Sequence, residues 1–193
     1  MKVLICVDMQ EDFVRGSLGT AEAQVIVPRV VKVLDEHKET MTMLLFTQDT
    51  HPVGYLDTME GKKLPVEHCI IGTEGWKIIP EITDHIDITQ YCRWESPEVL
   101  GSCILKPTFG STDLIDILHD LIEVEGETID EFLVFGLCTD ICVISNVLLI
   151  KAYFPETPIT VDASCCAGVT PEKHKAALEV MKSCHIDVIN EEV

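Results

Sequence analysis

Basic residues are scarce in this chain. Lys and Arg number 14 against 33 Asp and Glu, for a formal net charge of −19 over 193 residues. So acidic a surface repels phosphate backbones and anionic headgroups. This argues against nucleic acid or a membrane as partner, and favours solubility and cations. Long apolar runs are absent too: none approaches the ~20 residues needed to span a bilayer. The opening Met1-Lys2-Val3-Leu4-Ile5-Cys6-Val7-Asp8 is too short and too early-charged for a signal peptide, and reads as a buried strand. The nine cysteines are odd in number and form no C-x-x-C pair, a poor basis for a disulfide framework or a Cys-only zinc site. A reducing cytoplasm is the implied setting. Cys138 and Cys142 are four apart, but no second pair completes a metal site. Repeats, low-complexity stretches and linkers are also missing. Residues 1–193 are therefore expected to form one domain, with a loop-rich insertion around 49–100.

What is present is an ordinary apolar content of 47%, arranged in an alternating pattern. Strands are predicted at 2–7, 41–47, 131–135, 158–161 and 185–189, with shorter ones at 86–91 and 102–105. Helices are predicted at 20–38, 112–124, 142–154 and 171–183; the first carries Val25, Val27, Val30, Val31 and Leu34 at helical spacing. A short element begins at 78–82, and 49–76 reads as irregular. Near-continuous Val/Ile/Leu strands alternating with helices predict an α/β fold, a three-layer α/β/α arrangement around a mostly parallel sheet. Functional residues should then gather at the carboxyl ends of the strands.

Three reactive side chains sit where predicted strands end. Cys142 follows Phe135-Gly136-Leu137-Cys138-Thr139-Asp140-Ile141. It is expected in the first turn of a helix capped by Thr139 or Asp140, where the macrodipole favours the nucleophilic thiolate. The alternative is a small buried apolar residue. Asp8 closes the first strand and could carry the thiol proton, or could merely cap a helix. Lys106 precedes Pro107 and could lower the thiol pKa, or could be a solvated loop lysine. A second group comprises Asp49 and His51, on the same side of a strand end, with His68 and Glu60 nearby in the loop. That donor set suits Zn²⁺, Mn²⁺ or Fe²⁺; the alternative is histidines that are only hydrogen-bonded or solvated.

The segments Val7-Asp8-Met9-Gln10-Glu11-Asp12-Phe13, Lys106-Pro107-Thr108-Phe109, Gly136-Leu137-Cys138-Thr139-Asp140-Ile141-Cys142-Val143 and Thr160-Val161-Asp162-Ala163-Ser164-Cys165-Cys166-Ala167 stand in the order of a known family. The chain resembles the nicotinamidase/isochorismatase-like cysteine hydrolases over nearly its whole length. The resemblance implies a central parallel sheet with helices on both faces, and Asp8, Lys106 and Cys142 as a catalytic triad. Leu137–Cys138 matches a peptide that is often cis in the family, with the N–H groups of Cys138 and Cys142 facing one oxyanion. Asp49, His51 and His68 match the metal ligands of the nicotinamidase branch, with Glu60 near the place of an acidic fourth ligand. An aromatic clamp for a pyridine ring would come from Phe13, Phe109 and Trp94. The segments 55–63 and 90–101 depart from the nicotinamidase pattern.

The implied activity is hydrolysis of a small amide, foremost nicotinamide to nicotinate and ammonia, with a divalent metal, zinc first, and a homo-oligomeric assembly. A ureido, carbamoyl or biuret-like substrate is the nearest alternative, and isochorismatase ranks behind it. A non-catalytic acidic binding scaffold is the reading from a different class.

Overall fold

The computed structural model describes residues 1–37, 42–86, 99–100 and 103–191. Strand β1 (Lys2–Val7) is an apolar run in which Val3 to Val7 are all fully buried, as a strand covered on both faces must be. A single turn, α1 (Glu11–Val14), leads to α2 (Ala21–His37). Thr20 opens α2 by accepting the Ala23 amide on its hydroxyl at 3.0 Å. Ala23, Ile26, Val27, Val30 and Leu34 turn inward. Val25, expected in the core, faces solvent at 60% exposure, because Ile26 and not Val25 lies on the stripe with Val30 and Leu34. The helix runs through Pro28, which is exposed.

Strands β2 (Thr42–Asp49), β3 (Val99–Leu100) and β4 (Cys103–Lys106) follow, with the short helix α3 (Pro80–Thr83) between β2 and β3. Helix α4 (Thr112–Glu123) is capped by Ser111 and buries Leu114, Ile115, Leu118 and Leu121. The last elements are β5 (Glu131–Leu137), α5 (Ile144–Tyr153), β6 (Ile159–Ala167), α6 (Pro171–Ser183) and β7 (Asp187–Ile189). The strand order is β3-β4-β2-β1-β5-β6-β7. Every pairing is parallel except that of the edge strand β3 with β4. Helices α4, α5 and α6 pack beside one another, while α2 lies across β5 and β6 with α1 and α3 against it. Right-handed crossovers account for the two layers: α2 leads one way along the sheet, and α4 to α6 lead back the other way.

Four strands outrun their predicted ends, β4 by the single residue Lys106. β2 continues through Gln48 and Asp49, and β5 through Gly136 and Leu137. β6 continues for six residues beyond Val161, through Asp162-Ala-Ser-Cys-Cys-Ala. Apart from Leu137, which follows Gly136, these extensions are polar or small, so they read as loop; pairing with a neighbouring strand holds them extended. The strand predicted at 86–91 lies outside the described residues beyond Ile86.

Candidate active site

The register of the sheet brings four strand ends level. Val7 pairs with Thr47 on β2 and with Gly136 on β5, and Asp49 pairs with Lys106 on β4. Asp8, Asp49, Lys106 and the Leu137–Cys138 peptide thus leave one carboxyl edge, beside the point where the strand order reverses. Gly136 has φ 124, and a Cβ there would overlap the backbone of Val7, so only glycine lets β5 pass this close to β1. The Leu137–Cys138 peptide is cis.

Asp8 adopts φ 47, an uncommon conformation for a residue with a side chain. Its amide donates to Thr47 O at 3.2 Å, and the Thr47 hydroxyl donates to Oδ1 at 2.7 Å. Lys106 Nζ lies 2.6 Å from Asp8 Oδ2, 3.4 Å from Asp49 Oδ1 and 3.5 Å from Cys142 Sγ, and it donates to Thr108 O at 3.1 Å. Beyond the Lys106 ion pair, the Asp8 carboxylate also meets the Cys142 thiol as a hydrogen-bond partner. All three side chains are buried.

Burial pushes the Asp8 carboxyl above its ordinary value; Lys106 opposes the shift, and Asp49 adds to it. Burial alone would lower Lys106, but Asp8, the Cys142 sulfur and Asp49 outweigh it and hold the ammonium charged. Cys142 is the correction. Its thiol is pushed up, first by burial and then by Asp8 and Asp49, against the lowering effect of Lys106. It lies not in the first turn of an α-helix but in a π-helical turn, Thr139–Val143, that precedes α5. Neither predicted cap caps it: the Thr139 hydroxyl pairs with His174 Nδ1 at 2.8 Å, and Asp140 Oδ1 accepts the Val169 amide at 2.9 Å. Cys142 therefore rests as a thiol, close to the buried Asp8 carboxylate.

The histidines converge through an isolated bridge. His51 pairs with Ile70; its amide donates to Cys69 O at 3.0 Å, and its carbonyl accepts the Ile71 amide at 2.9 Å. His51 Nε2 lies 3.0 Å from Asp49 Oδ2, and His68 Nε2 lies 3.5 Å from the same oxygen. One donor atom from each of Asp49, His51 and His68 falls within 4.8 Å of the others. Glu60 Oε1 stands just outside, 3.7 and 3.8 Å from the two Nε2 atoms.

This set fits a divalent metal. His51 Nε2 is buried without a hydrogen-bond partner. His68 Nδ1 pairs with Val66 O at 2.9 Å, which directs the Nε2 lone pair to the cluster. Burial would raise Asp49, but the adjoining His51 and His68 imidazoles and the charge of Lys106 hold it well below the usual carboxylate range. The Asp49 carboxylate is thus ionised at neutral pH, as a metal ligand has to be.

A cavity of about 580 Å³ opens above both groups. Cys142, Cys138 and Leu137 line it beside Asp49, His68 and Glu60. Phe13 and Phe109 line it as well: Phe13 is buried with its ring 5.6 Å from that of His68, and Phe109 is 45% exposed. Trp94 lies outside the described residues.

Sequence reasoning missed the residues that hold the site in place. Gln10 Nε2 donates to Asp49 O at 2.8 Å, and the Asp49 amide donates to Gln10 Oε1 at 2.7 Å. Asp12 Oδ2 accepts the Cys69 amide at 2.8 Å, fixing the residue after His68. Asn146 ties Ser111 N to Cys142 O, at 2.9 and 2.8 Å. The ring of Tyr55 is fully buried against both histidines, at centroid distances of 4.7 and 4.9 Å. The available signal was polar residues packed between apolar ones, as in Val7-Asp8-Met9-Gln10.

Comparison with known proteins identifies relatives that span nearly the whole chain. The nicotinamidase of Escherichia coli (strain K12) is 26% identical over 200 residues, covering 94% of this chain and 90% of the relative. The crystal structure of nicotinamidase PncA from Bacillus subtilis matches with a TM-score of 0.79 at 25% identity, over 98% of this chain and 99% of that one. A pyrazinamidase of Pyrococcus horikoshii, solved in complex with zinc, shares the fold at a TM-score of 0.73 and 24% identity, over 98% of each chain. The isochorismatase domain model matches residues 2–193, and with its sheet, helices and strand-end cluster accounted for, the chain belongs to the isochorismatase family.

Proposed function

We propose that this protein is a metal-dependent amidohydrolase with Cys142 as nucleophile, and that it converts nicotinamide to nicotinate and ammonia. The observation that carries the reading is Lys106 Nζ, 2.6 Å from Asp8 Oδ2 and 3.5 Å from Cys142 Sγ, beneath a cavity also lined by Asp49 and His68. Asp8 takes the thiol proton as Sγ attacks the carboxamide carbon. Lys106 keeps Asp8 ionised until then and steadies the developing thiolate. The N–H groups of Cys138 and Cys142 hold the oxyanion, each donor contributing about 3–4 kcal/mol. Asp8 then returns the proton to departing ammonia. A thioester remains, and Asp8 activates the water that releases the acid.

Asp49, His51 and His68 would hold the metal, with Glu60 near enough to join them. Two imidazoles and a carboxylate suit zinc first, and also Mn²⁺ or Fe²⁺. When bound, the metal supplies a Lewis-acid anchor for a ring nitrogen, while Phe13 and Phe109 flank the ring. The activity would belong to NAD salvage.

This reading treats residues 1–193 as one hydrolase domain, and we retain a homo-oligomer as its assembly. The free cysteines among the described residues suit a reducing cytoplasm, and no helix among those residues is long and apolar enough to cross a membrane. One observation favours a second reading: the cavity of about 580 Å³ is larger than a single ring with one carboxamide requires. A larger carbamoyl or ureido substrate would use the same Asp8, Lys106 and Cys142.

The test is ammonia release from nicotinamide by purified protein, before and after metal stripping and zinc re-addition. Release that falls on stripping and returns with zinc is expected. No release from zinc-loaded protein would overturn nicotinamide as the substrate.

A further inference from the structure

We propose that this cavity selects amides carrying a second, negatively charged group, a carboxylate remote from the scissile amide, and that Lys63 and Lys173 recognise it. The inference rests on the amide-hydrolysis reading of the same site.

Four charged residues line the cavity: Asp49, Glu60, Lys63 and Lys173. The two acids are committed to the histidine cluster, where Asp49 Oδ2 lies 3.0 Å and Glu60 Oε1 3.7 Å from His51 Nε2. The two lysines have no such commitment. Both are exposed at the rim, one from the turn after Gly61 and the other from the first turn of α6. Lys2, Lys32, Lys77 and Lys182 each pair with a glutamate, as expected where acids outnumber bases 33 to 14. Among the described residues, Lys62, Lys63, Lys173 and Lys175 have no ion pair or side-chain hydrogen bond, and of these four Lys63 and Lys173 line the cavity.

The position of Lys173 is also unfavourable for its own helix. It stands third in α6, where the macrodipole disfavours a cation. Helix stability therefore does not explain it. Apart from the cluster acids, the lining is free of negative charge and rich in apolar side chains, among them Leu18, Leu64, Ile141 and Val169. A divalent ion on Asp49, His51 and His68 would offset the two acids and leave the lysine charges to dominate. On a chain of net charge −19, such a cavity is a local attractor for anions. Its volume leaves room for a substrate that meets Cys142 at one end and the rim at the other.

The test uses zinc-loaded wild type and a Lys63→Gln/Lys173→Gln double variant, both changes being at exposed side chains. Ammonia release is measured from nicotinamide and from a series of carboxynicotinamides. Binding of pyridine dicarboxylates is measured by calorimetry at low and at physiological salt. The carboxylated amides should be the better substrates of wild type. The double variant should lose about ten-fold or more in kcat/KM on them, the size of a lost charge-assisted contact, while nicotinamide changes less than about two-fold. Dicarboxylate binding should weaken in the variant and with salt. Equal effects on neutral and anionic amides, or dicarboxylate binding that is the same in both proteins, overturn the inference and leave nicotinamide hydrolysis standing. Dicarboxylate binding that depends on the lysines, with no hydrolysis of any amide, upholds the anion site and overturns the amidase reading.

Discussion

Lys106→Met separates the electrostatic role of this lysine from its bulk. Methionine keeps the unbranched stem and opens little cavity. The ammonium it removes is 1% exposed and lies 2.6 Å from Asp8 and 3.4 Å from Asp49. At an effective dielectric near 20, those attractions are roughly 6 and 5 kcal/mol. Desolvating each ion costs several kcal/mol, so the pair itself contributes little net stability. Removing one partner is different, because Asp8 is left buried and uncompensated, at about 3–5 kcal/mol. For a chain of this length that is a fall of about 6–20 °C in Tm. Asp8→Asn/Lys106→Met removes both charges and should regain more than half of the loss. Denaturant unfolding of the four proteins in the cycle, metal-free and zinc-loaded, measures the coupling. Alkylation of Cys142 by iodoacetamide should slow in Lys106→Met, since Lys106 is the influence that lowers this thiol. A single variant within about 1 kcal/mol of wild type, or single losses that simply add in the double variant, would refute the reasoning.

The remaining expectations concern the nucleophile, the support of the metal cluster and pH. Cys142→Ala should abolish ammonia release while retaining zinc, as read by turnover and metal content; full activity would sink the covalent mechanism. Asp12→Ala frees the Cys69 amide and so loosens His68; zinc affinity should fall at least about ten-fold in a competition titration, with Cys142 alkylation unchanged. Burial raises Asp8 above 3.8, and it must be ionised to act as base, so kcat/KM should fall on an acid limb centred above that pH. Asp49 has the opposite sign: its folded-state value is depressed below 3.8, so its contribution to stability is complete above that pH and is lost as pH falls through the depressed value. Asp49→Asn should therefore destabilise the metal-free protein at pH 7 and progressively less in acid, as followed by thermal unfolding across pH.

Local pattern was enough to identify the alternating architecture and the residues that carry reactive groups. Val3 to Val7 form an apolar run that only a doubly covered strand uses, and the spacing in 112–124 marks one helix face. Asp8, Lys106 and Asp49 with His51 stand at or next to strand ends, which is visible along one dimension. What the sequence could not reveal depends on atoms distant along the chain. His68 meets His51 because Ile70 bridges to it, and Asp12 holds the intervening turn from 57 residues away. The direction of the Cys142 shift was likewise set in three dimensions. A helix start predicts a lowered thiol, whereas burial and two carboxylates from other strands raise it. The tail of β6 read as loop because Asp162 and Ser164 disfavour strands by themselves, and pairing with β5 and β7 overrode that preference. Periodicity and strand-end chemistry are local and so can be read in order; the convergence of donors, the depth of burial and the sign of each shift arise from packing, and only the tertiary structure decided them.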